Sequence, residues 1–318
     1  MNDTKYTFDE IRARIIARGS KAAKLFWLTN EAGFKPEDAE ATYRLIMMIA
    51  PRPTATRRER REAREAFYEL IHFTVGVELE CTNVNRDAVR RACADRGIAT
   101  HDDYNCYNHR DSQSSYKLMS DSSLRPTRGD TYGTCEIVTP VLNDLDSLKT
   151  VCDVLNDAGC KVNRTCGMHV HFGAADFTNA QWRRIILNYA RIESIIDGFM
   201  APSRKGDGCQ WCRSIINHAD EIERMYDPTF EDMRQAFRCD RYHKVNLEAF
   251  SRHKTIEFRQ HAGTINFTKI ENWVKFLAGL LTYSIKNEEL LTATTVDELP
   301  FLSASQKRYF KSRAASLA

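Results

Sequence analysis

Two histidines stand two residues apart in CGMHVHFG, Cys166 to Gly173, a short apolar run closed by glycine. On a β-strand successive side chains point to opposite faces, so His169 and His171 share one face and Met168, Val170 and Phe172 the other. The same alternation recurs along the chain. In FTVGVELE, Glu78 and Glu80 oppose Phe73, Val75, Val77 and Leu79. In CEIVTP, Glu136 and Val138 oppose Cys135, Ile137 and Thr139. In HKVNLEAF, Lys244, Asn246 and Glu248 oppose Val245, Leu247 and Ala249, and in KTIEFRQH, Glu257, Arg259 and His261 oppose Ile256 and Phe258. This two-residue period predicts strands of a half-buried antiparallel sheet.

The polar faces concentrate Glu, His and Arg, where a solvated sheet would carry Lys, Thr, Ser and Gln. Glu78 and Glu80 project side by side about 7 Å apart, and at an effective dielectric of ~20 their repulsion is about 2 kcal/mol. Glu136 and Glu257 add to it. Divalent cations would neutralise such a face, and hard oxygen ligands with an imidazole suit Mg²⁺ or Mn²⁺. Arg259 offers phosphate a planar, forked donor on the same face. The residue types therefore describe a metal–phosphate site, with a solvated or ion-paired sheet face as the alternative.

The elements that must hold these residues emerge from the rest of the pattern. Residues 1–70 read as a helical extension, through TFDEIRARIIARGSKAAKLFWL, KPEDAEATYRLIMMIA and the charged TATRRERREAREAFYELI. From Phe73 onward short alternating segments are separated by longer helical ones. DLDSLKTVCDVLNDAG is a helix stopped by Gly159. TNAQWRRIILNYARIESIIDGFM is a second, with Thr178 as its cap. FTKIENWVKFLAGLLTYSI is a third, and short helices come after Asn287. NCYNHRDSQSSYK reads as a polar loop. The expected division is 1–70, 71–290 for the catalytic domain and 291–318 for a helical tail.

Bulk properties narrow the classes further. A chain of 318 residues with 42% hydrophobic and 28% charged residues can bury a sizeable core. A net charge of +3 does not by itself call for nucleic acid or an anionic membrane. No apolar run spans a bilayer, and the N-terminus lacks the apolar core of a signal peptide. Ten scattered cysteines in so large a chain suit reduced thiols and a cytoplasmic location. The CxxC pair, Cys209 and Cys212 in GCQWC, lacks a second pair for zinc and reads as packing or a local turn.

Taken in order, GVELE, SDSSL, CEIVTPVL, NRTCGMHVHFG, APSR, RYHKVNLEAF and TIEFRQHAGT resemble the amidoligase family, from about Val75 to Ser284. That family lies in the carboxylate–amine ligase superfamily with the glutamine synthetase-like fold. The resemblance implies an α+β fold: a curved antiparallel sheet with helices on its convex face. It also implies ATP, Mg²⁺ or Mn²⁺, and an amide or isopeptide-type bond formed through an acyl phosphate. By the matching motifs, Glu78, His169 and Glu257 correspond to ligands of a metal near the nucleotide phosphates. Glu80 and Glu136 correspond to ligands of a metal near the substrate carboxylate. Arg259 matches the arginine that holds the transferring phosphoryl group, and His171 a histidine facing phosphates or substrate. Asp121, Asn246, Arg204 and His261 match further polar positions, Asp121 supporting a metal or holding the incoming amine. The implied substrates are a carboxylate and an amine: an amino acid, peptide, polyamine or modified macromolecule.

There is no Walker loop and no Ser/His/Asp or Cys/His nucleophile signature. The alternatives are a metal-dependent hydrolase on the same sheet, or an inactive relative that binds protein, or nucleic acid through RRERREAR at 57–64. Nucleic acid is not otherwise indicated, a membrane is not expected, and homo-oligomerisation stays open.

Overall fold

The computed structural model describes residues 6, 10–11, 14–15, 21–36, 39–40, 42–43, 73–103 and 114–317. The chain divides into two compact units, 1–67 and 68–318. In the first, helix α1 (Lys21–Asn30) buries Trp27 and Leu28 with Ile11, Ile15, Ala32 and Ala39. Tyr6 leans on Trp27 at 5.4 Å between ring centroids. The charged 54–71 segment, including 57–64, lies outside the described residues.

The second unit is a mixed α+β domain built on one seven-stranded sheet. Its strands are β1 (Val75–Cys81), β2 (Thr100–Asp103), β3 (Tyr116–Met119), β4 (Cys135–Val138), β5 (Gly167–Gly173), β6 (Val245–Asn246) and β7 (Thr255–Ala262). They lie in the order β2-β3-β4-β1-β5-β7-β6. Only the β2–β3 pair is parallel; the other five are antiparallel. β1 is central, and Val75, Val77, Leu79 and Cys81 are all buried on its apolar side.

Helices supply the rest of the core. Those between the strands are α2 (Arg86–Asp95), α3 (Asp146–Asp157), α4 (Asn179–Phe199), α5 (Ile216–Glu223), α6 (Phe230–Ala236) and α7 (Glu248–His253). α8 (Phe267–Lys286) and α9 (Ala304–Ala315) come after β7. Thr178 caps α4 in a reciprocal box with Gln181, which satisfies the free N–H groups of its first turn. α3 stops before Gly159, whose φ of +69° is backbone that glycine adopts without strain. Tyr189 of α4 stacks on Phe258 of β7 at 5.6 Å, so α4 covers the apolar side of the sheet. None of the described helices is long and apolar enough to cross a membrane.

Two local expectations change. HKVNLEAF is a strand only at Val245–Asn246; from Glu248 the chain is the short helix α7. The Asn246 side-chain oxygen accepts a hydrogen bond from the Glu248 N–H and so turns the chain. The polar loop ends earlier than expected. Tyr116 and Lys117 are buried in β3, the tyrosine hydroxyl paired with Ser147, and 104–113 lie outside the described residues.

The tail helix packs on the same unit. Phe310 meets Phe199 at 4.4 Å and Phe276 at 5.2 Å between ring centroids. Truncating this buried ring leaves a cavity, so Phe310→Ala should cost about 3 kcal/mol. Urea unfolding would show a lower midpoint at an unchanged slope; an unchanged midpoint would mean that α9 does not contribute to the core.

Candidate active site

Strand register assembles the polar residues. Glu80 lies directly opposite Glu136 across β1–β4, and Glu78 opposite His169 across β1–β5. His171 lies opposite Glu257 across β5–β7, and Asn246 opposite Glu257 on the far side. Because the side-chain period is two, all of these point to the face away from the apolar core.

Hydrogen bonds lock the carboxylates in place. His169 Nδ1 is 2.8 Å from Glu78 Oε2 and 3.6 Å from Glu257 Oε1. His169 Nε2 is 3.8 Å from Glu80 Oε1. The Gly167 N–H donates to Glu80 Oε2 at 2.5 Å. Glu257 accepts from Arg259 Nη1 and from Asn246 Nδ2, each at 2.5 Å. His171 Nδ1 pairs with the Thr255 hydroxyl at 3.0 Å. Its Nε2 stands 3.3 Å from Glu78 Oε1, an ion-pair contact. Gly167 matters by its lack of a side chain. A Cβ there would sit 3.0 Å from His169 Nε2 and 3.2 Å from both terminal nitrogens of Arg204.

The site is largely buried, and its charges lie close together. Glu80, Glu136, His169, Glu257 and Arg259 are all no more than 7% exposed. Burial opposes the Glu78 charge, but hydrogen bonds and positive charge from His169 and His171 outweigh it and hold the carboxyl well below its usual range. Burial likewise opposes the Glu257 charge, and Arg259 with the two histidines brings its pKa down to about 2. Glu136 goes the other way: burial, then the charges of Glu78, Glu80 and Asp121, push it well above the usual range. His171 is raised, burial being overcome by Glu257 and Glu78.

Among the described residues, two groups of donor atoms each lie within 4.8 Å of one another: Glu78, His169 and Glu257, and Glu80, Glu136 and His169. Carboxylate oxygens with one imidazole are the donor set of a hard divalent cation. The upward push on the Glu136 carboxyl, from burial and then from the Glu78, Glu80 and Asp121 charges, is a second sign that this face carries more negative charge than it compensates.

A cavity of about 370 Å³ opens over this face. Glu78, Glu80, Glu136, His169, His171 and Glu257 line it, with Arg204, Asn246, Arg259 and Asp121. Arg204 ends a 3₁₀ turn (Pro202–Arg204) and donates through Nη2 to the Cys166 carbonyl at 2.7 Å. Arg259 Nε donates to the Trp211 carbonyl at 3.3 Å. Asp121 lies just after β3, and its Oδ1 accepts from the Ser123 N–H.

His261 is not on this face. The register passes from Val170↔Phe258 to Met168↔His261, so β7 carries one more residue than β5 there. This bulge falls at Arg259–Gln260 and re-aims the end of the strand. Gln260 bonds to Asp197 of α4, and the His261 ring lies 5.8 Å from Trp273 of α8. Burial brings the His261 pKa down to about 4, so the ring is neutral. The expectation that His261 shares a face with Glu257 and Arg259 is corrected accordingly.

Other cavity residues went unmarked in the sequence. Trp211, Arg241, Tyr242, Arg252 and His253 line the wall from loops and α7, where strand parity carries no information. Thr255 was within reach, being two residues before Glu257 on the same strand.

With the geometry in place, residues 72–281 match the family described as "Putative amidoligase enzyme". The chain belongs to the amidoligase family. No curated protein matches it. Among solved structures it is similar to the bifunctional glutathione synthetase from Pasteurella multocida, with 12% identity and a TM-score of 0.38. The match covers 81% of this chain and 42% of that one, so the amidoligase chain spans less than half the length of that protein.

The raised Glu136 carboxyl gives this amidoligase-family site a pH signature. A cation bound there must displace the Glu136 proton, so affinity for Mn²⁺ should rise with pH. Calorimetry in two buffers of different ionisation enthalpy at pH 7 should report a released proton, absent in Glu136→Gln. Heats independent of buffer in the wild type would show that Glu136 does not take part.

Proposed function

We propose that the chain is an ATP-dependent carboxylate–amine ligase that forms an amide or isopeptide-type bond on a glutamine synthetase-like sheet. The observation that carries this reading is the pair of donor groups sharing His169, with Arg259 hydrogen-bonded to Glu257 beside them. Glu78, His169 and Glu257 would hold one Mg²⁺ or Mn²⁺, and Glu80 and Glu136 a second. Such ions neutralise phosphate charge and polarise the carboxylate. The amidoligase family supports the reaction class.

The chain's own residues then have distinct tasks. Phosphoryl transfer needs positioning and charge compensation more than covalent participation by the protein. Arg259, kept cationic beside Glu257, offers its guanidinium to the transferring phosphoryl group. Asn246 fixes the other Glu257 oxygen, so that carboxylate cannot swing away. His171, steadied by Thr255 and set 3.3 Å from Glu78, lies on the cavity wall where it can meet phosphate or substrate. Arg204 contributes positive charge to the wall beside Gly167. Asp121 supports the second cation or receives the incoming amine. The acyl phosphate formed on the substrate would be attacked by that amine. Residues 71–290 are assigned to catalysis, 1–70 to packing, assembly or partner contact, and the location to the cytoplasm.

The direct test is an ADP-release screen with Mg²⁺, pairing carboxylates with amines and tracking the amide product by mass. ADP formed only with both substrates is expected; hydrolysis without ATP consumption would move the reading to a metal-dependent hydrolase.

Arg259→Lys keeps the charge but loses the fork. It should retain most ATP binding and lose about 10²-fold in turnover, the scale of one lost transition-state donor. Wild-type turnover in this variant would assign Arg259 a structural role.

The two histidines should separate. His169→Ala should weaken Mn²⁺ binding and turnover together. His171→Ala should lower turnover with Mn²⁺ affinity nearly intact. Parallel titration and ADP release on both variants decide this, and equal metal loss in the two would overturn the assignment of His171.

A further inference from the structure

The CQWC turn is not used by the ligase reading, yet it touches Arg204 and Arg259 of the cavity wall. The Cys212 N–H donates to the Cys209 carbonyl at 3.1 Å, closing a four-residue turn. Such a turn brings its first and last Cα atoms within about 7 Å, the range a disulfide spans. Cys212 is fully buried, and Arg204 Nη1 stands 3.9 Å from its sulfur. Cys209 is only half-buried and reachable from solvent. Between them, the Trp211 carbonyl accepts the Arg259 hydrogen bond.

The segment is held at both ends. Asp197 Oδ2 accepts from the Gly206 N–H and Glu193 Oε2 from the Ile215 N–H, both carboxylates belonging to α4. Lys244 pairs with the same two carboxylates at 2.8 Å each. A change at the tip of the segment is therefore passed to what the tip touches, Arg204 and Arg259.

We propose that Cys209 and Cys212 form a thiol modification site that closes to an intramolecular disulfide under peroxide, and that closure loosens Arg204 at the cavity wall. Cys209 is the attacking thiol and Cys212 the resolving one. The Cys209 sulfur attacks one peroxide oxygen; the S–O bond forms, the O–O bond breaks, and the departing hydroxide leaves as water with the thiol proton. Cys212 then attacks the Cys209 sulfur; the S–S bond forms and the S–O bond breaks, releasing a second water. Two thiols are oxidised by two electrons and one peroxide is reduced to two waters. The roles are set by position: the accessible sulfur meets the oxidant, and the buried one stands at the other end of the same hydrogen-bonded turn. Cys212, then the Arg204 charge, bring the Cys209 thiol down to about 5 against the cost of burial, which favours its thiolate. In the disulfide the Cys212 sulfur is committed to Cys209 and its contact to Arg204 Nη1 is weakened.

The test treats the full chain with hydrogen peroxide and maps its peptides without reduction. A 209–212 disulfide is expected, reversed by dithiothreitol. Cys212→Ser should instead accumulate a sulfenic acid on Cys209, trapped by dimedone, and Cys209→Ser should show neither product. Phenylglyoxal labelling of Arg204, read from the same maps, should be several-fold faster in the oxidised wild type than in the reduced one. Oxidation at the exposed Cys239 with 209–212 still reduced would overturn the proposal, as would equal labelling of Arg204 in the two states. None of these readouts uses ATP, so a chain that forms the disulfide but releases no ADP would refute the ligase reading and leave this one standing.

Discussion

The structure turns on the concentration of like charge on one face of a sheet. Glu80 and Glu136 lie directly opposite each other on paired strands, an arrangement that is destabilising when left alone. Glu78 stands two residues before Glu80 on the same strand and Glu257 two strands away on β7; Glu80, Glu136 and Glu257 are buried and Glu78 is partly so. Each donor nearby answers part of that charge: the Gly167 amide on Glu80, two imidazoles on Glu78, Arg259 and Asn246 on Glu257. Glu136 has no such donor among the described residues, and burial with the neighbouring carboxylates pushes its carboxyl well above the usual range. A face so arranged costs folding free energy, and bound cations would offset that cost.

The opposite face explains how the expense is borne. Val77, Leu79, Val170, Phe172 and Phe258 are fully buried there, and α4 lies over them. Lys244, also fully buried, bonds to Glu193 and Asp197 of α4, and Asp197 bonds to Gln260 of β7. One polar network thus fastens the helix layer to the strand that carries Glu257 and Arg259. It also fixes the loop from Gly206 to Ile215, which leads into the arginine wall.

Strand parity made much of this readable in advance. The pairs Glu78/Glu80, His169/His171 and Glu257/Arg259 each share a face because the period is two, and antiparallel pairing brings the pairs together. Parity failed where one residue is inserted. The bulge at Arg259–Gln260 sends His261 to the helix side, and nothing local in RQHAG announces it. It failed again after Asn246, where a side-chain hydrogen bond starts a helix inside an alternating run. Trp211, Arg241 and Tyr242 reach the cavity from irregular segments, whose direction depends on tertiary packing and not on any period.

The shared position of His169 limits how the sheet can be filled. Its Nδ1 faces Glu78 and Glu257, and its Nε2 faces Glu80. A neutral imidazole has one lone pair to give, and its other nitrogen carries a hydrogen. Whichever side takes the lone pair, the other receives an N–H donor. The ring is thus a single-vote element between two neighbouring positions: a choice of tautomer on one side is felt at once on the other. Two ions on this face would load in an order, not independently, and the ring would record which came first.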